Sequence, residues 1–546
     1  MLNLHQKYCM ETFYDGRLVN FEPVYKDNFN FAYDVVDKIA EVEPNRRAML
    51  WCNDKGEERT FTFADIKKYS NMTANMLRAN GIRKGDKVML ILKRHYQFWF
   101  CVMALHKLGA VAVPASNLLT KNDIIYRFEK ANIKAIVCTV ESEVIDHVES
   151  ALNELNEAKV KFCVRGKRNG FICFDEEIEK YSDELKRVKT HSDEPILSYF
   201  TSGTTGHPKV VTHCHTYPLG HIITAKYWQS VDPDGLHLTI SDTGWMKCMW
   251  GKLYGQWFME AGIFVYDFDK FKSNEILPLF KKYQITTFCA PPTMYRFFIR
   301  EDLSKYDLSS LKHAAIAGEA LNPEVYNKFV EATGVKLMEA FGQSETTPLL
   351  LNLQGTEPKP GSMGTVSPGY DVDLVDPDGN SVDEGIVGEI VVRTDKYIPC
   401  GLFVGYTGDD DKTNSSWYDD VYHTGDTAWK DEDGYFWYVG RTDDIIKSSG
   451  YRIGPFEIES VIMELPYVLE CAITGVPDPI RGQVIKATIV LTKDKQASEE
   501  LKKEIQVYVK DQTAPYKYPR IVEFVNELPK TTSGKIRRNK IRKDHK

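Results

Sequence analysis

The sequence predicts a multidomain α/β protein with a small α+β unit at its C-terminal end. Three observations carry that expectation. At 546 residues the chain is longer than one hydrophobic core usually serves. Short, wholly apolar runs alternate with amphipathic helical stretches as far as residue 345. The texture then changes twice, to short strands and dense turns over 360–442 and to a separate pattern over 443–546.

Within the first 190 residues, the spacing over 66–77 predicts a helix, and the runs 88–92 and 135–138 predict fully buried parallel strands. Residues 193–345 repeat this texture as a second α/β unit. There 196–200 and 210–211 read as buried strand segments, and 286–290 as a strand ending at Pro291-Pro292. Over 360–442 the turns Asp376-Pro377-Asp378-Gly379-Asn380 and Asp431-Glu432-Asp433-Gly434 predict a small antiparallel barrel or sheet. In the last unit Ile458, Val461, Ile462 and Leu465 mark one helix face, and 472–476 and 487–491 read as strands. There is no internal repeat and no low-complexity segment.

Composition narrows the function. The chain is 43% hydrophobic and 27% charged, the balance of an ordinary globular protein. A net charge of −8 supplies no basic field for nucleic acid. The eleven cysteines are scattered without a C-x-x-C pair, which argues for reduced thiols and against a zinc site or disulfide framework. Residues Met1 to Lys7 lack an apolar core and are not Arg-rich, so the expected location is the cytoplasm. No run approaches the ~18 apolar residues that a membrane helix needs.

The most informative stretch is Thr201-Ser202-Gly203-Thr204-Thr205-Gly206-His207-Pro208-Lys209. Two glycines let the backbone approach a ligand, the hydroxyls add donors, and Lys209 adds charge. Successive N–H groups in such a loop form an anion-binding nest, which suits a polyphosphate. The Walker spacing is absent. Four further stretches follow in order. They are Glu339-Ala340-Phe341-Gly342-Gln343-Ser344-Glu345-Thr346; Tyr422-His423-Thr424-Gly425-Asp426; Gly440 to Arg452; and Pro529-Lys530-Thr531-Thr532-Ser533-Gly534-Lys535.

In this order and at these distances the five stretches resemble the adenylate-forming (ANL) superfamily of acyl-CoA synthetases, amino-acid adenylation domains and luciferases. Ser241-Asp242-Thr243-Gly244-Trp245, Ser449 to Pro455, Val476 to Pro479 and Ala514 to Pro519 narrow the likeness to medium-chain and branched-chain acyl-CoA synthetases. The resemblance implies an N-terminal domain (1–442) of two α/β subdomains and a barrel, and a mobile C-terminal domain (443–546) hinged at Asp443. It implies a two-step ligase: a carboxylate and ATP give acyl-adenylate and pyrophosphate, then the thiol of CoA displaces AMP.

The residue roles follow from the same resemblance. The 201–209 loop holds the β and γ phosphates. Thr204 and Glu345 are the metal positions, for Mg²⁺, and with Lys535 the candidate catalytic residues. Phe341 stacks on adenine, and Gly318-Glu319-Ala320 lines the same pocket beside Glu339, Ala340, Gly342, Gln343 and Ser344. Asp426 accepts from the ribose hydroxyls, and Arg441 reaches the ribose and phosphates. After domain rotation Lys535 withdraws and Ser449-Gly450-Tyr451-Arg452 enters, with Arg452, Arg481 and Lys510 as candidates for the CoA phosphates. The basic run beyond residue 537 is expected to be solvated.

The acyl group is the least legible part. Acetate-specific relatives carry a Trp before the motif's Gln; here Gly342 stands there. Losing an indole is expected to free room for several methylenes, each worth ~0.8 kcal/mol if buried. Trp245 and Cys289 are further candidates for the acyl pocket. Expected partners are a small carboxylic acid, ATP and CoA, with no nucleic acid and no integral membrane segment. A homodimer and an acetyltransferase–deacetylase pair acting on Lys535 are further partner expectations. Two other readings are a stand-alone ligase that loads a carrier-protein thiol and a nucleotide-binding regulator on the same fold.

Overall fold

The computed structural model describes residues 2–155, 160–201, 208–449, 451–531 and 535–543. Its centre is a pair of sheets with parallel cores. The first has eight strands in the order Gly405–Tyr406, Lys209–Cys214, Pro195–Thr201, Val111–Pro114, Lys87–Ile91, Ile133–Thr139, Val160–Val164, Ile172–Cys173. Val88 to Leu92 are buried throughout, which is why that strand reads as a continuous apolar run and not as an alternation. The helix expected over 66–77 spans Phe63–Ala79 and starts at a capping box between Thr62 and Asp65.

The second sheet has nine strands in the order Thr365–Val366, Leu350–Leu351, Leu337–Phe341, His313–Ala317, Thr287–Ala290, Leu236–Thr239, Gly262–Asp267, Arg47–Asn53, Glu58–Thr62. Its last two strands come from the first α/β stretch, with Met49 in parallel register with Ile263. The two α/β units are therefore not consecutive pieces of chain, as the sequence suggested. Periodicity reports burial and not which neighbour a strand pairs with.

The small antiparallel barrel or sheet expected over 360–442 is an open half-barrel sheet of antiparallel strands Asp371–Val375, Gly388–Arg393, Trp417–Tyr418, Val421–Lys430 and Phe436–Arg441. Its turns work as their composition says. Asp376 Oδ1 accepts from the N–H groups of Asp378 and Asn380, and Gly379 takes φ +84°. An N-terminal hairpin, Cys9–Tyr14 with Arg17–Pro23, went unread in the sequence.

The C-terminal unit is a five-stranded sheet built on the long hairpin Val468–Asp478 and Gly482–Leu491. Helices Pro455–Met463 and Glu499–Gln512 pack on it through Ile458, Ile462, Leu501 and Ile505. It touches the large domain where Asn322 Nδ2 donates to Ser460 O at 3.0 Å and where the rings of Tyr438 and Phe456 lie 5.8 Å apart. The basic run beyond residue 537 is not wholly the solvated tail expected of it. Arg538–Lys543 form a helical turn, Ile541 is 5% exposed, and Arg538 and Arg542 both pair with Asp444. A lone charge run looks solvated because its partners, here Asp444 and Glu459, are far away in sequence.

Candidate active site

The site lies where parallel strands of the second sheet end, the usual place for a ligand in an open α/β sheet. Strand His313–Ala317 runs into Gly318-Glu319-Ala320, and strand Leu337–Phe341 runs into Gly342 to Glu345. Both ends point the same way because the strands pair in parallel, Ala317 opposite Ala340. The barrel supplies the facing wall, with Asp426 and Arg441 as register partners across its hairpin.

Asp426 is the centre of a polar network. It is 5% exposed. Its Oδ1 accepts from the Tyr438 hydroxyl at 3.1 Å, and its Oδ2 accepts from Gln343 Nε2 and, at 3.2 Å, from Arg441 Nη1. Burial pushes the Asp426 carboxyl upward, and the Arg441 guanidinium opposes that push. Gln343 is itself held by the Tyr422 hydroxyl at 2.7 Å and by the Thr424 carbonyl at 2.8 Å. Three separated motifs are thus brought together at one carboxylate.

At the end expected to take the phosphates, Thr201 and Lys209 are register partners at the ends of strands Pro195–Thr201 and Lys209–Cys214. Ser202, Gly203, Thr204, Thr205, Gly206 and His207 lie outside the described residues, as does Gly450. Lys209 lies over the Tyr406 ring, 5.1 Å from its centroid, and the Tyr406 hydroxyl donates to Glu345 Oε1 at 2.8 Å. Partial burial lowers the Lys209 ammonium, while Glu345 works to raise it. Among the described residues no cluster of three His, Cys, Asp or Glu could enclose a metal. A single half-buried carboxylate suits Mg²⁺, which keeps several waters and takes its other ligands from substrate phosphates.

The end expected to take adenine holds Phe341, whose ring centroid is 6.2 Å from that of Tyr438. Glu319 Oε2 accepts from Thr293 Oγ1 at 3.1 Å. Glu339 is 3% exposed, its Oε1 accepts from the Leu321 N–H at 3.2 Å, and burial pushes its carboxyl well above the usual range. Lys535 is exposed and tied to Thr531 by two hydrogen bonds. Its charge favours the ionised form of Asp426 and disfavours that of Lys247.

One expectation fails here. The room that Gly342 was expected to leave is already filled. A Cβ at Gly342 would lie 2.6 Å from the Trp250 indole, 2.8 Å from the Thr347 carbonyl and 3.2 Å from Pro348 Cα. Trp250 packs edge-on against Trp228, 6.3 Å between centroids. Trp245 is only partly buried and its Nε1 has no partner among the described residues, and Cys289 is buried with its thiol raised by burial. Lys247 donates to the Ala317 carbonyl and feels both Cys289 and Glu319. Lys247 lies two residues beyond the Ser241 to Trp245 run and outside any motif. For Tyr406, Tyr438 and Trp250 there was no local signal, because each acts across the fold.

In the C-terminal domain Ser449 and Arg481 are joined by Ser449 N to Arg481 O at 2.9 Å and Arg481 Nη1 to Ser449 Oγ at 3.2 Å. Tyr451 stacks on Tyr516 with centroids 4.0 Å apart, and Arg452 pairs in register with Lys447. Lys510 lies apart, in the last turn of helix Glu499–Gln512.

Two parallel-cored sheets, a buried carboxylate on the antiparallel sheet facing their strand ends, and a small C-terminal α+β unit are the architecture of an adenylate-forming enzyme. Comparisons with known proteins agree. The AMP-binding enzyme family matches residues 36–407, and the AMP-binding enzyme C-terminal domain matches 457–535. The chain is 40% identical over 540 residues to the mitochondrial acyl-coenzyme A synthetase ACSM3 of Mus musculus, covering 97% of this chain and 93% of that one. It is 41% identical over 524 residues to human mitochondrial ACSM5, covering 94% and 90%. Among solved structures, the anthranilate CoA ligase AuaEII in complex with anthranoyl-AMP superposes with TM-score 0.87 at 28% identity, covering 96% of this chain and 98% of that one. An acyl-CoA synthetase of Brucella canis gives TM-score 0.71 at 28% identity, covering 94% of each.

The chain belongs to the AMP-binding enzyme family. It is an AMP-forming acid–thiol ligase of the acyl-CoA synthetase group, which uses ATP, Mg²⁺ and CoA. No helix among the described residues is long and apolar enough to cross a membrane. These relatives are named mitochondrial, so they lend no support to the cytoplasmic expectation.

Proposed function

We propose that this synthetase activates short-to-medium and branched carboxylic acids, with an optimum from C4 to C8, and passes them to CoA. The observation that carries the site assignment is the convergence of Gln343, Asp426, Arg441, Glu345 and the charge of Lys535 on one crevice. Asp426 Oδ1, with the Tyr438 hydroxyl as its one protein donor, keeps a lone pair for a ribose hydroxyl. Lys209 and the hydroxyl-rich loop counter the triphosphate charge, and Arg441 stands toward the α-phosphate. Glu345, with Thr204, would hold Mg²⁺, which when bound would neutralise charge on the pyrophosphate leaving group. Lys535 stabilises charge as the carboxylate oxygen attacks the α-phosphorus. The second step uses Ser449 to Arg452 beside the pantetheine arm, with Arg481, and Lys510 in the outermost position, for the CoA phosphates. Lys535 is exposed, so an acetyltransferase could reach it, and acetylation would remove the charge.

Trp250 and Trp228, which fill the space behind Gly342, are the proposed end wall of the acyl pocket and set the upper limit of the range. An indole wall there stops a long straight chain. ATP–pyrophosphate exchange over C2 to C12 acids tests the range. Maximal exchange with acetate or with C12 would contradict it.

Two substitutions test the wall. Gly342→Trp is expected to lower kcat/KM for every acid, acetate least, because the new ring meets Trp250 and backbone atoms. Overpacking of this kind costs about 1–3 kcal/mol, or about ten- to a hundredfold. Trp250→Ala is expected to raise the ratio of kcat/KM for a C10 acid over butyrate. An unchanged ratio would remove Trp250 from the acyl wall.

A further inference from the structure

The C-terminal helical turn holds more structure than a solvated tail requires. Asp444, the first residue past the hinge position, is 8% exposed and takes an arginine on each carboxylate oxygen. Arg542 Nη1 lies 2.7 Å from Asp444 Oδ1, and Arg538 Nη1 lies 3.6 Å from Asp444 Oδ2. Arg542 Nη1 also donates to the main-chain carbonyl of Asp443 at 3.2 Å. Arg538 is forked onto Glu459, at 2.8 Å to Oε1 and 2.7 Å to Oε2. Glu459 is fixed in turn, because its Oε1 accepts the Ile473 N–H at 2.8 Å. Ile541 buries the other side of the turn against Ala472, Val490 and Leu528.

We propose that Arg538, Arg542 and Asp444 form a clasp that welds the Lys535 segment to the first residue beyond the hinge, making Arg542 and Asp444 positioning residues for adenylation.

The reasoning is mechanical and rests on the reading of Asp443 as the hinge. When the φ and ψ of residue 443 change, its carbonyl oxygen and everything after it move as one body. The groups of the clasp all lie on that moving side. Without the clasp, slack could develop between 444 and 448, or between Lys535 and the sheet, and a turn at 443 would be only partly passed on to Lys535. With it, Lys535 lies three residues from Arg538, and Arg538 is bonded to the hinge-proximal carboxylate. Lys535 then follows the hinge torsions directly. Strands Ile446–Ser448 and Tyr451–Ile453 pair with each other and join the sheet at Ser448 opposite Gly482, without the clasp. The clasp therefore serves the first half-reaction selectively.

The test separates the two half-reactions in the full-length enzyme. Arg542 is partly exposed, so Arg542→Ala should fold, and Asp444→Asn keeps shape while removing charge. Each is expected to slow acid-dependent ATP–pyrophosphate exchange three- to tenfold. Transfer from supplied acyl-adenylate to CoA should stay within twofold, with KM for CoA unchanged. Arg542→Lys, which keeps the charge, should recover most of the exchange rate, and the double variant should be no slower than the slower single one. An equal fall in both half-reactions, no fall in either, or additive losses would overturn the clasp. Asp443→Pro run beside them isolates the hinge reading. If it leaves both half-reactions normal, the hinge itself is misplaced and the clasp falls with it. If it blocks one while Arg542→Ala changes nothing, the clasp alone is refuted.

Discussion

Lys535→Ala is expected to lower acyl-adenylate formation by about 10²–10³-fold, the loss typical when one charge-stabilising donor is removed from a transition state. Transfer of a supplied acyl-adenylate to CoA should remain within a few-fold of normal. The asymmetry follows from where the lysine acts. Its charge is felt by Asp426 and Lys247 in the crevice. In the proposed mechanism the carboxylate meets the α-phosphorus in that crevice, and the second step takes place with the small domain turned away. Folding should be unaffected, because the side chain is exposed and its tie to Thr531 runs through the main chain. Rates of pyrophosphate exchange and of CoA transfer, measured on one preparation, check this. Equal losses in both would show that Lys535 is not a residue of the first half-reaction alone.

Asp443→Pro is expected to abolish one half-reaction, by at least about a hundredfold, and spare the other. Proline fixes φ near −65° and also restricts the residue before it. Position 443 is exposed, so the ring meets no packed neighbour, and the effect falls on backbone freedom. The local cost is small. The side chain lost is a carboxylate 3.6 Å from Arg441 Nε, a contact at the limit of ion pairing. If the two active conformations differ in the torsions of this residue, a fixed φ admits only one of them. Normal rates in both half-reactions would move the pivot elsewhere.

Much of the fold was legible because burial writes itself into the sequence. The runs at 88–92 and 135–138 are wholly apolar because both faces of those strands are covered, and the aspartate–glycine turns of the barrel carry their own geometry. What could not be read was pairing. Nothing in Arg47–Asn53 says that it completes the far edge of the second sheet, because a strand's partner is chosen by topology. The site divides along the same line. Gln343, Asp426 and Arg441 stood in motifs and were found. Tyr406, Tyr438 and Trp250 reach the site from positions without a motif. The expectation at Gly342 failed for a related reason. An absent side chain was taken as empty space, although Trp250, ninety-two residues earlier, packs there. Arg538 and Arg542 were misread because a charge run is defined by its neighbours in space and not along the chain.

The central claim is that one crevice makes an acyl-adenylate and that the same chain then transfers it to CoA. The most direct measurement mixes enzyme, Mg-ATP and a C4–C8 acid, first without and then with CoA, and follows every nucleotide product. The account predicts acid-dependent exchange of pyrophosphate into ATP before CoA is added. It predicts AMP, pyrophosphate and acyl-CoA in equal amounts after CoA is added. Formation of ADP and phosphate, or AMP release that never yields an acyl-CoA, would contradict it.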